Sequence, residues 1–317
     1  MVAKPFTSGN PLADRRACYA ATMADTGDIA AAIEVLASAL EITPDWAAGW
    51  FRLGEYHDQA GAPDLAGDAW RRAVALDPGD PFGAGLKLDL QLQVPVAEMM
   101  PAAFVELLFD QYAPRFETSL VDQLSYRGPQ LLASALRGAG FVRAERALDM
   151  GCGTGLMGQE MRSACDWLGG CDISAGMLAE ARAKGIYDQL RKEDLGQLAP
   201  VGPTYDLICA ADVFNYLGAL EQIVGWCAGA LLPRGRIAFT MEEGSRPVEL
   251  RSSRRFAHAP DYVREVLDQA GFQGITMQGC VLRRDRGQDV PAFCVVATLE
   301  RSPWARDQSD EAQMVPA

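Results

Sequence analysis

Apolar residues in the first 94 positions recur at helical spacing, in segments that short polar turns separate. This pattern predicts helices near residues 13–25, 28–41, 46–60 and 63–76, with a further capping helix over 80–92. Beyond residue 140 the pattern changes to short apolar runs that alternate with helix-compatible stretches. That alternation indicates an α/β fold with a parallel sheet.

The helical region contains an internal repeat of 34 residues. Residues 11–44 and 45–78 have the same length and end in Ile42-Thr43-Pro44 and Leu76-Asp77-Pro78. The positions at the spacing typical of tetratricopeptide repeats are Trp50, Leu53, Gly54, Ala66, Trp70, Ala73 and Pro78 in the second unit and Tyr19, Ala20, Ala32, Leu36, Ala39 and Pro44 in the first. The units depart from that pattern at Arg16 and His57.

The first α/β strand leads into Asp149-Met-Gly-Cys152-Gly-Thr-Gly155, in which Asp149, Gly151, Gly153 and Gly155 form the pattern acid-x-Gly-x-Gly-x-Gly. Glycines permit a sharp turn and the close approach of a ligand to the backbone. A carboxylate at the strand end accepts hydrogen bonds from a cationic amino group, such as that of a methionine moiety. Cys152 lies within the predicted loop.

A second strand ends at Asp172, 17 residues after Gly155, where one carboxylate can accept from both hydroxyls of a ribose. Ile173 follows it, and Met177 is either a cover for an adenine face or an ordinary helix-packing residue. A third strand near 187–193 leads to Asp194 and Leu195. Asp194 is either an acceptor for the adenine amino group or a turn residue before Gly196.

A fourth strand, 205–211, ends at Ala211 and is followed by Asp212, which we expect beside the transferred group. Gly153, Gly155 and Gly158 also satisfy the dinucleotide spacing GxGxxG, so a nicotinamide enzyme is an alternative. Two final strands are predicted near 276–283 and 291–298. A nicotinamide enzyme is not expected to end in such a hairpin, so these strands disfavour that alternative.

Together these motifs resemble the class I S-adenosylmethionine methyltransferases over roughly residues 140–298. The likeness extends to the Pro-x-Gly turn within Leu231–Phe239, before a fifth strand, and to Ala270-Gly-Phe272 before the last two. It implies S-adenosylmethionine as cofactor, with S-adenosylhomocysteine as product. It also implies a Rossmann-like seven-stranded sheet in the order 3-2-1-4-5-7-6, with strand 7 antiparallel.

The whole chain resembles a bacterial group of predicted methyltransferases with N-terminal tetratricopeptide repeats. The resemblance lies in Phe109-Asp-Gln-Tyr-Ala-Pro-Arg-Phe116, Leu124-Ser-Tyr-Arg-Gly-Pro129, Ala211-Asp-Val-Phe-Asn-Tyr-Leu-Gly218 and Arg254-Arg-Phe-Ala-His258. It implies the reaction class and leaves the acceptor open. We predict that residues 109–116 form a helix over the cofactor mouth, from which Tyr112 positions the sulfonium or simply packs.

Two residues after the fifth strand are candidate bases, Glu243 and His258, and each is alternatively a surface loop residue. The fourth strand lacks a following Asp/Asn-Pro-Pro-Tyr/Phe sequence, which weighs against methylation of nucleobase amino groups. Arginine forks recognise carboxylates and phosphates, so an anionic small molecule or acidic carrier-borne acyl group is a candidate acceptor. A local run of arginines suggests such an acceptor: Arg246, Arg251, Arg254 and Arg255. Alternatively, these arginines pair with surrounding acidic residues.

Composition narrows these possibilities. The 317 residues are 49% hydrophobic and 22% charged, which allows two domains with their own cores. A net charge of -13 disfavours a nucleic-acid partner. The chain lacks an apolar run of membrane length and a signal-like N-terminus, and its eight cysteines show no regular spacing. We therefore expect a cytoplasmic protein with free thiols, no membrane contact and no metal site.

The predicted organisation is a tetratricopeptide-like helical domain at 11–94, a helical connector and active-site lid at 95–140, a methyltransferase domain at 141–300 and a flexible tail at 301–317. The favoured function is in-line methyl transfer to a small-molecule or carrier-bound acceptor. The alternative is a protein methyltransferase, or a cofactor-binding scaffold, that docks a protein partner through the repeats. The repeats serve equally well as a packing or dimer contact.

Overall fold

The structure, a computed structural model, describes residues 6–92, 100–113, 116–117, 125–251, 253–285 and 287–300. The described chain forms two compact units. The first contains residues up to 92 together with 100–107, and the second begins at residue 108. The predicted tail, 301–317, lies outside the described residues.

The first unit is helical. Its helices are α1 (Pro11–Asp25), α2 (Ile29–Ile42), α3 (Ala47–Gln59), α4 (Pro63–Leu76) and α5 (Ala84–Leu92), and α6 (Ala102–Tyr112) begins in this unit and ends in the second. Local chemistry defines the starts, since the Asn10 side chain accepts from the first amides of α1 and Asp28 caps α2. The predicted helices are confirmed, although α5 begins later than expected.

Small residues allow α1 to pack on α2 and α3 on α4. Ala20 and Ala32 are completely buried in this packing. At Gly54, a Cβ atom would lie only 2.4 Å from Nε1 of Trp70 in the facing helix. The buried Trp70 ring therefore occupies the space that only glycine leaves free, and this accounts for the pairing of Gly54 with Trp70 in the repeat.

The second unit is built on a seven-stranded sheet in the order β3-β2-β1-β4-β5-β9-β8. Its strands are β1 (Ala144–Met150), β2 (Cys165–Asp172), β3 (Gln189–Lys192), β4 (Tyr205–Ala210), β5 (Leu231–Glu242), β8 (Phe272–Asp285) and β9 (Gln288–Leu299). β9 runs antiparallel to both neighbours. The predicted order and the antiparallel seventh strand are confirmed. A separate hairpin, β6 (Val248–Leu250) with β7 (Phe256–His258), was not predicted.

Helices cover both faces of this sheet. They are α7 (Gly128–Gly138), α8 (Leu156–Met161), α9 (Ala175–Ala183), α10 (Glu221–Ala230) and α11 (Pro260–Gln269). One core joins α10 and α11 to the sheet around Phe239, and the other joins α7 and α8 around Leu207. Within the described residues, no helix is both long and apolar enough to cross a membrane.

The Pro-x-Gly turn, which we predicted to precede the fifth strand, is an irregularity inside β5. Leu231 pairs with Tyr205, and pairing then shifts so that Arg236 is opposite Leu207. Pro233 has no N–H group for the ladder, which makes a bulge the favoured arrangement at this point.

The Gly54–Trp70 contact generates a stability prediction. In an ordinary helix, Gly→Ala stabilises by about 0.5–1 kcal/mol. At Gly54 the new methyl group overlaps the buried Trp70 ring, so we expect Gly54→Ala to destabilise the helical unit by about 1–3 kcal/mol. Urea unfolding followed by circular dichroism measures this difference.

Gly67→Ala in α4 is the matched control, because its Cβ would meet only the terminal groups of Gln91 and Arg71, which are able to move. We expect that variant to be neutral or slightly stabilised. Equal destabilisation of both variants would contradict the role assigned to Trp70.

Candidate active site

The loop between β1 and α8 owes its shape to three glycines. Gly151, Gly153 and Gly155 have φ angles of 59°, 53° and 93°, which residues with side chains rarely adopt. Gly151 lies against Val213, whose side chain would be 2.5 Å from a Cβ there. Gly153 differs, because the nearest atom to its Cβ position belongs to Phe116, 3.9 Å away. The loop therefore has one open side, above Gly153.

Asp149, in β1 just before this loop, presents a free acceptor. Its Oδ2 accepts a hydrogen bond of 2.6 Å from the Tyr187 hydroxyl. Its Oδ1 is buried and has no hydrogen-bond partner within the described structure. Burial raises the pKa of Asp149 to about 7, a shift that the Tyr187 hydrogen bond opposes and the charge of Asp172 reinforces. A cationic donor placed at Oδ1 would satisfy the atom and favour its ionised form.

Asp172 closes β2 and organises the backbone around it. Its Oδ2 accepts from the Gly153 amide and its Oδ1 from the Ser174 amide, each at 2.8 Å. Burial raises its pKa. A carboxylate oxygen has a second lone pair, so both atoms retain capacity for a ribose hydroxyl. Ile173 is half-buried, and Met177 is completely buried in α9.

The remaining predicted residues near the loop have local contacts. Cys152 is buried, and its amide donates to the Cys171 carbonyl at 2.9 Å. Asp194 accepts from the Gly196 amide at 2.9 Å, which is the turn role that the sequence left open. Leu195 packs against the core. Binding of adenine by Asp194 stays a prediction.

The segment before β1 contributes two carboxylates that sequence analysis missed. Asp110 accepts from the Ser174 hydroxyl at 2.5 Å, at the start of α9. Glu117 accepts from the hydroxyl of Thr154 in the glycine loop at 2.7 Å and from Lys184 at 2.6 Å. Both strand-end loops are thereby tied to one segment. No motif indicated these contacts, because they join residues far apart in the chain.

The predicted lid helix ends at Tyr112, whose side chain lies outside the described residues. The Phe109 ring packs edge-on against Tyr216, with centroids 5.3 Å apart, and against Phe116 at 6.2 Å. This part of α6 therefore contributes aromatic rings on the side of the sheet edge where β4 ends.

Asp212 lies directly after β4 and half-buried Ala211, with a φ of 63°. Its Oδ1 accepts from the Asn215 side chain at 2.6 Å, and the Asn215 Oδ1 accepts from the Glu242 amide at 2.9 Å. Asn215, completely buried, thus links the ends of β4 and β5. The arrangement holds the Asp212 carboxylate at the edge where parallel sheets bind ligands.

We call Asp212, Tyr216, Glu242, Arg255 and Arg283 the buried ion cluster. Glu242 Oε1 lies 2.6 Å from both Arg255 Nε and Arg283 Nη2. Arg255 also binds Asp212 and the Tyr216 hydroxyl. Burial opposes ionisation of Glu242, but the two guanidiniums hold its pKa below the ordinary value. Glu242 is therefore an ion-pair partner with little tendency to take up a proton.

The run of arginines found in the sequence does not act as one patch. Arg255 points into the buried ion cluster, whereas Arg246 is exposed and Arg254 is half-buried. Arg251 lies 3.6 Å from Glu242. Sequence reasoning missed Arg283, because it comes from β8 and no local motif marks it.

The two candidate bases have different surroundings. Glu243 is exposed just beyond the end of β5, whereas Glu242, the last residue of that strand, is buried. His258 is completely buried, its Nε2 lies 2.6 Å from the Gly218 carbonyl oxygen, and burial lowers its pKa. It also stacks on Tyr262. This placement favours a packing role for His258 over proton transfer.

The described residues also bear on metal and thiol chemistry. They contain no cluster of three or more His, Cys, Asp or Glu arranged to hold a metal ion. The cysteines are free thiols, and most of them are buried.

Comparison with known proteins identifies the domain. Residues 148–237 match the family model of a methyltransferase domain. Human methyltransferase-like protein 27 is 35% identical over 126 residues, 38% of this chain and 51% of that protein. A malonyl-[acyl-carrier protein] O-methyltransferase of Enterobacter lignolyticus is 29% identical over 177 residues, 54% of this chain and 68% of that protein. The chain thus spans about half the length of the human relative.

Solved structures establish the fold. The DhpI complex with S-adenosylhomocysteine has a TM-score of 0.50 at 18% identity and covers 63% of this chain and 98% of that one. The N-methyltransferase NodS of Bradyrhizobium japonicum, also with S-adenosylhomocysteine, has a TM-score of 0.51 at 17% identity and covers 62% and 99%. With the family-model match of residues 148–237, the chain therefore carries a methyltransferase domain, for which S-adenosylmethionine is the cofactor.

The residues present fit that cofactor. The unpartnered Oδ1 of Asp149 suits a cationic amino group, and the open side of Gly153 leaves room for a ligand against the backbone. Asp172 lies between Gly153 and the start of α9 and accepts a hydrogen bond from the backbone of each. We propose these three features as the contacts of S-adenosylmethionine.

Asp149 tests this assignment directly. Asp149→Asn keeps the size of the side chain and its ability to accept from Tyr187, but removes the charge. We expect the dissociation constant for S-adenosylhomocysteine to rise about 10- to 100-fold, the effect of one hydrogen bond to a charged group. Calorimetry measures it. Asp166→Asn, an exposed change at the other end of β2, should leave binding intact. Unchanged affinity in both variants would remove Asp149 from the site.

The raised pKa of Asp149 also predicts a pH dependence. The cationic ligand binds the ionised carboxylate, so affinity should increase as the pH rises from 6 to 8, through the pKa of about 7. Asp149→Asn should abolish this dependence. Tyr187→Phe removes a hydrogen bond that lowers the pKa, so its midpoint should move to higher pH. A wild-type affinity that is constant across this range would contradict the account.

Proposed function

Starting from an S-adenosylmethionine-dependent methyltransferase domain, we propose that this protein transfers the methyl group to a small-molecule or carrier-bound acceptor. The observation that carries the proposal is the buried, unpartnered Oδ1 of Asp149 beside the glycine loop. Such a carboxylate is costly to leave without a donor, and the methionine end of the cofactor supplies one.

The cofactor, when bound, supplies an electrophilic methyl group on sulfur. In the proposed reaction, Asp149 holds the amino group, Asp172 holds the ribose, and Asp212 lies on the acceptor side. Holding the reacting atoms in line provides much of the acceleration by proximity. Ile173, Met177, Asp194 and Leu195 remain proposed adenosine contacts, and Tyr112 and Glu243 remain proposed catalytic groups.

Two observations support this class of acceptor. The relative from Enterobacter lignolyticus acts, by its name, on a malonyl group borne by an acyl carrier protein. The net charge of -13 disfavours a nucleic acid as the alternative acceptor. We propose that the protein acts in the cytoplasm on a small or carrier-borne molecule.

We also infer that the helical unit is a pair of tetratricopeptide repeats and that the protein belongs to the bacterial group with such repeats before a methyltransferase domain. The 34-residue period and the Gly54–Trp70 packing support this. The repeats pack through positions that are small in both units, such as Ala32 and Ala66, both completely buried.

A second candidate function is methylation of a protein, or cofactor-dependent scaffolding, with the partner docked on the helical unit. It is supported by a cavity of about 450 Å³ in that unit. The cavity lies between the ends of the two repeats, and its lining includes Thr43, Trp46, Asp77 and Phe82.

Transfer of labelled methyl from S-adenosylmethionine into a bacterial extract separates these functions. We expect label in the small-molecule fraction or on an acyl carrier protein, and only background with Asp149→Asn. Label on one folded protein would favour the second candidate if adding the helical unit alone, as a competitor, reduces that labelling. Transfer into neither fraction would refute the proposal.

A further inference from the structure

Arg283 is the member of the buried ion cluster whose bonding is incomplete. Its side chain is only 8% exposed, and its Nη2 donates to Glu242 at 2.6 Å. Its Nη1 is buried without a hydrogen-bond partner and lies 3.5 Å from Asp212 Oδ1. A guanidinium prefers to use both ends of its fork. This end has only the longer ion pair with Asp212 and therefore lacks a hydrogen-bond acceptor.

The neighbouring groups do not supply that acceptor, because their bonds are already made. Arg255 binds Asp212, Glu242 and Tyr216. On the other side of Glu242, Arg251 lies 3.6 Å from Oε2 and is shared with Glu249 at 3.9 Å. The carboxylates of Asp212 and Glu242 are thus engaged by Arg255 and by both ends of the Arg283 fork, Nη2 through a hydrogen bond and Nη1 only through the ion pair at 3.5 Å.

The position of Nη1 indicates what it would bind. It lies beside Asp212, directly after β4, at the carboxyl edge of the sheet where ligands bind. Buried Tyr126 lies in the field of the same charges, and burial together with Asp212 raises the pKa of its hydroxyl. A protonated hydroxyl and a free guanidinium nitrogen are both donors, which suits an oxygen anion.

The same edge has little capacity to remove a proton from an acceptor. Glu242 is paired with two guanidiniums. His258 has its Nε2 at the Gly218 carbonyl; its Nδ1 has no partner, but the residue is completely buried and burial lowers its pKa. Asp212 is bound by Arg255. An acceptor that arrives already ionised does not need a base, and a carboxylate is ionised at neutral pH.

We propose that Arg283 Nη1 binds one oxygen of an acceptor carboxylate and that the other oxygen is methylated, giving a methyl ester. This inference rests on the proposed function. One C–O bond forms as the C–S bond to the methyl carbon breaks, the electron pair of that bond stays on sulfur, and no proton is released. The acceptor is therefore a carboxylic acid, free or borne by a carrier, and not an amine or a phenol.

The stability of the product to alkali tests this chemistry. Methyl esters release volatile labelled methanol in mild alkali, whereas methylated amines and phenols retain the label. With the full-length protein, labelled S-adenosylmethionine and a bacterial extract, we expect most of the transferred label to become volatile. Alkali-stable label would overturn the ester while leaving the methyltransferase function intact. If no label is transferred at all, the proposed function itself fails.

Substitution of Arg283 tests the binding role. Arg283→Gln should raise the amount of extract needed for half-maximal ester formation by about 10- to 100-fold, with the dissociation constant for S-adenosylhomocysteine within about twofold of wild type. Arg283→Lys keeps the charge but loses the fork, so it should rescue only part of the effect. Arg264→Gln, an exposed arginine on α11, is the matched control and should behave as wild type.

Binding of S-adenosylhomocysteine also shows whether each variant is folded. If Arg283→Gln fails to bind S-adenosylhomocysteine, the test rests on Arg283→Lys. A folded variant that needs the same amount of extract as wild type for half-maximal ester formation would overturn the assignment of Arg283. So would an equal loss in Arg264→Gln.

Discussion

The second unit depends on one constraint, the burial of carboxylates at the ends of neighbouring parallel strands. Asp149 and Asp172 follow the buried runs of β1 and β2, and each is almost inaccessible to water. A buried carboxylate needs donors, and the glycine loop supplies some of them from its backbone. The amide of Gly153 reaches Asp172 with a φ of 53°, a backbone conformation that residues with side chains rarely adopt. The donor that is missing at Asp149 is the one that a cationic ligand brings.

The other half of the same sheet edge meets the same constraint in a different way. At the ends of β4 and β5, Asp212 and Glu242 are buried beside Arg255 and Arg283. Internal ion pairs there replace the bound ligand. The two halves therefore differ in chemistry. One has a carboxylate oxygen of Asp149 without a donor, and the other has a guanidinium nitrogen of Arg283 without a hydrogen-bond acceptor. We propose that this asymmetry separates a cofactor side from an acceptor side along a single edge.

Local patterns predicted the sheet well, and they marked the carboxylates at the ends of β1 and β2. The glycine loop, Asp149 and Asp172 are readable because strand, turn and carboxylate are adjacent in the chain. The sheet order follows from the resemblance those motifs carry. The helix pairs are readable because their repeat imposes small residues at fixed positions. Tyr187 and Arg283 were not predictable, because their contacts with Asp149 and Glu242 are created only when distant segments fold together. The β6–β7 hairpin was not predictable either, because its strands are too short to show a period.

A crystal structure of the protein with S-adenosylhomocysteine would show whether the strand-end carboxylates hold this ligand. The prediction is that the amino group of the ligand lies within hydrogen-bond distance of Asp149 Oδ1, with the ribose hydroxyls on Asp172 and the sulfur facing Asp212. A ligand bound elsewhere, or bound with Asp149 Oδ1 still unpartnered, would contradict it.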